Sequence, residues 1–190
     1  MGGVALGCYV LYLALAVGLR SLIQVRNTGS TGFKGISGAV AVGILTGVAA
    51  AVLDVYDVLE PIDVLDGPGA HVLGLCLFGL GLAATLYAQI SMGRSWRIGV
   101  DETERTDLVT DGPFAHVRNP IFAAMIPTIA GLALLVPNVI ALVGLAALVL
   151  ALEIQVRLVE EPYLMRTHGP AYADYAARVG RFAPGVGRLT

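Results

Sequence analysis

Charge is scarce in this chain of 190 residues: Asp, Glu, Lys and Arg together make up 14%, where soluble domains carry roughly 25%. Lysine is almost missing, with Lys34 alone beside eleven arginines. Cysteine is limited to Cys8 and Cys76, both inside apolar runs, so neither a disulfide framework nor a Cys/His metal spacing can be built. The formal net charge is −2 and no basic stripe gathers, which excludes a nucleic-acid binder. There is no Walker loop and no G-x-S-x-G elbow. The stretch Gly79-Leu-Gly-Leu-Ala-Ala84 fits a dinucleotide pattern, but it lies within an apolar run with no preceding strand, so it reads as helix packing.

Hydrophobic residues, by contrast, are 56% of the chain, and the mean hydropathy is +0.78. They gather into five runs: Val4 to Ile23, Ile36 to Tyr56, Ala70 to Ser91, Ile121 to Val136, and Asn138 to about Arg157. Each approaches the roughly 20 residues that cross a bilayer, so the chain reads as an all-α integral membrane protein with about five transmembrane helices. The fourth run holds Pro127, which should kink it. The turn at Pro137-Asn138 then makes the fourth and fifth runs an antiparallel hairpin, with a re-entrant pair as the rival arrangement.

Positive charge sets the orientation, because short cytoplasmic loops are enriched in Lys and Arg. Arg20, Arg26 and Lys34 flank the first loop; Arg94, Arg97, Arg105 and Arg118 lie in the third; Arg157, Arg166, Arg178, Arg181 and Arg188 follow the fifth run. The second loop has Asp57, Glu60, Asp63 and Asp66 and no basic residue. Five spans with the N-terminus outside and the C-terminus in the cytoplasm satisfy every loop. The apolar start has no positive region before it and is not read as a cleaved signal peptide. The Ala/Gly/Val/Arg bias hints at a bacterial source, hence a multi-pass protein of the bacterial inner membrane.

Two cytoplasmic pieces remain, a loop from about Met92 to Asn119 and a tail from about Glu160. The loop has a charged centre at Asp101 to Arg105, and Asn119-Pro120 reads as N-cap and first-turn proline of the fourth helix. In the tail, Ala171 to Val179 reads as a short helix with Tyr172, Tyr175, Ala176 and Val179 on one face. The chain divides at residue 91: transmembrane helices 1–3 (1–91) as scaffold and acceptor channel, and 92–190 as the catalytic part. In the second run, Gly35, Ala39, Gly43, Gly47 and Ala51 recur every four residues, a stripe for close packing within the chain or for a homodimer seam.

Glu153, Arg157, Glu160 and Glu161 stand at i, i+4, i+7 and i+8, so they share one helical face, a polar stripe leaving the membrane. Ionisable groups at a membrane edge point to a site by default. The plain alternative is an ion pair of Glu153 with Arg157 and a solvated helix end. His116, Arg118 and Asn119 start the fourth helix at the same cytoplasmic level, so the two polar clusters face each other.

The string Leu108-Val-Thr-Asp-Gly-Pro-Phe-Ala-His-Val-Arg-Asn-Pro-Ile-Phe122, then Arg157-Leu-Val-Glu-Glu161, Gly169-x-x-Tyr172-x-x-Tyr175 and Val179-x-Arg181-Phe182, resembles the isoprenylcysteine carboxyl methyltransferase family and its phospholipid methyltransferase relatives. The resemblance covers about residues 92 to 184. It implies a membrane enzyme that moves a methyl group from S-adenosylmethionine to a lipophilic small-molecule or lipid acceptor. It places Leu108, Val109, Phe114, Asn119, Pro120, Phe122 and Glu160 at the cofactor and Arg157 facing the acceptor; His116 and Arg118, at the same level, join the cofactor candidates, and Arg157, Glu160 and Glu161 are the catalytic candidates. Asn119 stands where the family pattern has histidine, Phe114 and Phe122 replace tyrosines, and Arg157 is displaced by about one residue relative to the glutamates.

Methyl transfer asks chiefly for alignment of the acceptor behind the methyl group, so no nucleophilic Ser or Cys is required. Glu160 can balance the cofactor's positive charge, aromatic faces tolerate it, and an arginine can orient an anionic acceptor. A neutral acceptor would need a base, for which Glu161 and His116 are the candidates. Two rivals stand: an NADPH-dependent membrane reductase of a lipid or enone, and a non-catalytic membrane scaffold.

Overall fold

The computed structural model describes residues 1–19, 38–92 and 107–189. Arg20, Arg26, Lys34, Gly35, Arg94, Arg97 and the charged centre 101–105 therefore lie outside the described residues. Helix α1 (Gly2–Tyr12) continues into a π-turn at Leu13–Val17; α2 is Gly38–Val55, α3 is Pro68–Met92, and a 3-10 turn covers Gly112–Ala115. Helix α4 is Pro120–Leu135 and α5 is Val139–Gln155; a second π-turn at Val156–Glu160 leads into α6 (Glu161–His168), and α7 is Pro170–Arg178. Among the described residues there is no strand, only isolated bridges of Val117 with Gly180 and Ala183 with Val186.

Among the described residues, two helices are long and apolar enough to cross a membrane: α3, and the continuous helix Val139–His168 formed by α5, the π-turn and α6. Little of their apolar surface is used inside the protein. Val72, Leu80, Tyr87 and Ile90 on α3 and Val143 and Leu150 on α5 are each more than half exposed, which water would penalise and lipid would not. Helices α1, α2 and α4 are shorter apolar helices.

The closest packing joins α3 to α4, a seam the sequence pattern did not single out. A Cβ added at Gly131 would stand 2.5 Å from the Gly74 carbonyl oxygen, and one at Gly81 would stand 2.2 Å from Thr128 Oγ1. The backbones meet because no side chain separates them. The hydroxyls in this seam are satisfied within their own helices, Thr85 donating to Gly81 O (2.9 Å) and Thr128 to Ala124 O (2.7 Å). Helix α4 runs on through Pro127 as one helix.

The second extensive contact is α2 on α5. From the small-residue stripe, Gly47 lies under the Tyr9 ring of α1 and Ala51 is fully buried, so this part of the stripe packs inside the chain. The connection between α4 and α5 is only Val136 to Asn138. Asn138 caps α5 by accepting from Ala141 N (2.9 Å), and Pro137 O accepts from Ile62 N (2.7 Å).

The fifth helix departs from its expected course. It does not end near Arg157 but continues to His168. Pro162 stands just after the π-turn, inside this continuous helix, and its missing N–H leaves the preceding turn without one backbone donor. The π-turn inserts an extra residue, which rotates everything beyond it by about 100° relative to regular α spacing. Arg157 accordingly does not share a face with Glu161, being exposed where Glu161 is buried, whereas Glu153 stays within reach of Arg181, which holds Glu161.

Candidate functional site

Asn119 occupies the N-cap position of α4 and Pro120 its first turn, but the Asn119 side chain makes no cap bond. Its Nδ2 instead donates to Arg181 O (3.3 Å), and its backbone N–H donates to the same oxygen (3.1 Å). The preceding Arg118 N–H donates to Gly180 O (2.8 Å). The strap 180–189 thus lies along the entrance of α4. Two glycines let it fold back: Gly185 and Gly187 hold φ of +76° and +72°. Arg181 N–H then donates to Val186 O (2.7 Å).

Beneath the strap sits a buried ionic knot. Arg118 Nη2 donates to Glu161 Oε1 (2.6 Å) and to Gly187 O (2.9 Å), while its Nη1 donates to Ala176 O (2.9 Å). Arg181 approaches the same carboxylate with Nε on Oε1 (2.8 Å) and Nη2 on Oε2 (3.0 Å). The Arg118, Glu161 and Arg181 side chains are 1%, 10% and 9% exposed. Removing one partner from such a knot leaves a buried uncompensated charge, at about 3–5 kcal/mol. The knot extends outward, since Arg181 Nη1 lies 3.7 Å from Glu153 Oε2, which accepts from Arg157 Nε (2.6 Å). The hydrogen bond to Glu161 pushes the Arg181 pKa up, against the opposing effect of burial.

The α7 face expected from the sequence is observed, with Tyr172, Tyr175 and Ala176 buried and their rings 6.2 Å apart. Tyr175 Oη donates to Phe114 O (2.7 Å), which ties α7 to the 3-10 turn. Burial pushes both tyrosine hydroxyls up to about 12.

Between these elements opens a cavity with about 800 Å³ of non-atom space, open solvent at its mouth included. The loop before α4 contributes Leu108, Val109 and Phe114; the start of α4 contributes Arg118, Asn119, Pro120, Ile121 and Phe122. Glu160 and Glu161 close it from the other side, joined by Leu164 and His168 of α6 and by Tyr172 and Tyr175 of α7. Met92 and Asp107 complete the lining. The helix entrance at Asn119-Pro120 and the helix exit at Glu160 therefore border one space.

Of the residues singled out from the sequence, Leu108, Val109, Phe114, Arg118, Asn119, Pro120, Phe122, Glu160 and Glu161 line this cavity. His116 and Arg157 do not: both are exposed and neither is among the lining residues. His116 turns outward at the end of the 3-10 turn, and Arg157 is held by Glu153 on the face before the π-turn shifts the register. Sequence reasoning gave no role to Arg181, although it sat in the Val179-x-Arg181-Phe182 string; only the folded strap brings it to Glu161.

With this geometry in view, three comparisons bear on identity. The family model of phospholipid methyltransferase matches residues 70–171, more than half of the chain. The nickel-cobalt-cadmium resistance protein NccN of Alcaligenes xylosoxydans xylosoxydans is 28% identical over 113 residues, 59% of this chain and 52% of that protein. The chain thus spans about half the length of that curated relative. The structure of the eukaryotic intramembrane Ras methyltransferase, isoprenylcysteine carboxyl methyltransferase, superposes with a TM-score of 0.71 at 19% identity, covering 98% of this chain and 68% of that one. At that identity the likeness is one of fold. On the span of the family match, this chain belongs to the phospholipid methyltransferase family.

Proposed function

We propose that the protein is a membrane-embedded methyltransferase that takes S-adenosylmethionine from the cytoplasm and a lipophilic acceptor from the bilayer. The observation that carries this is the cavity bordered by the α4 entrance and by Glu160, whose lining falls within the part of the chain that matches the family except for Tyr172 and Tyr175. Its chemistry suits the donor. A carboxylate at Glu160 can balance a sulfonium or hold ribose hydroxyls, and the faces of Phe114, Phe122 and Tyr172 accept a cationic or purine group. Leu108, Val109 and Ile121 would exclude water.

When bound, the cofactor supplies an electrophilic methyl group; the chain's own task is to fix two reactants in line, which general estimates value at several kcal/mol. Glu161 is engaged by two guanidinium groups. That assigns it to anchoring rather than to proton abstraction; Glu160, in the cavity lining, is the carboxylate assigned to the ligand. Arg157, exposed on the outer face, would meet an acceptor only at the lipid side of the site. Five spans, with α4 and α5 as a hairpin and the site on the cytoplasmic side of the bacterial inner membrane, complete the reading, with 1–91 as scaffold and 92–190 as the catalytic part.

Calorimetry of the purified protein with S-adenosylhomocysteine tests it. Binding at a 1:1 ratio that Glu160→Ala weakens about tenfold or more is the expected result. No binding, with selective thermal stabilisation by NADPH, would transfer the site to a reductase; stabilisation by neither molecule would leave a scaffold.

A further inference from the structure

The cavity has walls on two separate helices, and one residue outside its lining holds both. The carbonyl of Arg181 accepts from the backbone N–H and from Nδ2 of Asn119 at the α4 entrance (3.1 and 3.3 Å). Its guanidinium grips both oxygens of Glu161 in the first turn of α6 (2.8 and 3.0 Å). We infer that Arg181 is a positioning residue that sets the separation of the two walls, and with it the place of the neighbouring Glu160 carboxylate. This rests on the function proposed above.

Several features of the strap fit that task. The Arg181 side chain is buried yet lines no part of the cavity, so it acts through others. The turn that presents it is crowded: a Cβ at Gly180 would stand 2.0 Å from Ala183 O, and Gly187 packs against the Arg181 side chain itself. Such a turn fixes the height of the guanidinium. The two-pronged grip needs a planar fork, which arginine has and lysine lacks. Arg118 alone cannot replace it, because Arg118 is spread over Glu161, Ala176 O and Gly187 O and touches only one carboxylate oxygen.

The test compares wild type, Arg181→Gln, Arg181→Lys and the control Arg178→Gln, whose exposed arginine donates to Asp174 O on α7. Three readouts are taken: S-adenosylhomocysteine affinity by calorimetry, amide hydrogen exchange, and thermal melting. Arg181→Gln should bind about ten- to a hundredfold more weakly, the worth of one or two kcal/mol-scale charged hydrogen bonds. Exchange should quicken in segments 114–122 and 158–166 while α1, α2 and α3 stay protected. Arg181→Lys should fall between it and wild type, and it carries the test if Arg181→Gln fails to fold. Arg178→Gln should match wild type. Unchanged affinity and exchange in Arg181→Gln would overturn the inference, as would exchange that quickens uniformly through α1 to α3, the mark of a general folding contact. If wild type binds no S-adenosylhomocysteine, the functional proposal falls, and the segment-specific exchange still decides whether Arg181 holds the two walls.

Discussion

Tyr172 and Tyr175 show how much a single hydroxyl can report. Burial raises both from the ordinary value of 10.0 to about 12, so between those limits the folded chain keeps protons that the unfolded chain releases. Their contribution to stability is complete below pH 10 and is lost as the pH rises towards 12. An alkaline titration followed by tyrosinate absorbance and circular dichroism should show ionisation and loss of α7 packing together above pH 10. Tyr175→Phe should make that alkaline decline shallower, and an identical decline in the variant would contradict the assignment. At this scale the sequence conveyed residue types but not partners. Glu161 could be placed near Arg118 from their shared depth, whereas its second partner, Arg181, lies twenty residues away on a strap whose path depends on glycine conformations.

Helix positions were legible because apolar runs and prolines mark them, and α2, α3 and α4 begin and end within about two residues of expectation. The π-turn at Val156–Glu160 was not, since nothing in Val-Arg-Leu-Val-Glu distinguishes it from α-helix, and it undid the expected common face of Arg157 and Glu161. The α3/α4 seam offers a paired test. Gly131→Ala forces a Cβ onto backbone atoms of Gly74 and Phe78, at 2.5 and 2.7 Å, which cannot yield as a side chain would. It should lower stability by about 1–3 kcal/mol. Gly79→Ala meets nothing within 4 Å and should gain up to about 1 kcal/mol of helix propensity. Detergent unfolding midpoints that fail to separate the two variants would show the seam to be looser than described.

For the molecule as a whole, the exposed apolar belt on α3 and α5 and the family match agree on residence in a bilayer. The orientation drawn from arginine placement rests partly on residues 20–37 and 93–106, so it calls for labelling in cells. In a Cys8→Ser, Cys76→Ser background, Val64→Cys, at 93% exposure between α2 and α3, should react with a membrane-impermeant thiol reagent added outside. Ala177→Cys, exposed on α7, should react only after permeabilisation. Labelling of both from the same side would refute an odd number of crossings between them.

Arg118 finds a partner at Gly187 O, 69 positions further along the chain. During translation, therefore, the helices can enter the bilayer before the strap has emerged, with Arg118 held at first by Glu161 and Ala176 O. A stop codon at Gly180 would remove the carbonyl that holds Asn119 and one of the two guanidinium groups that hold Glu161.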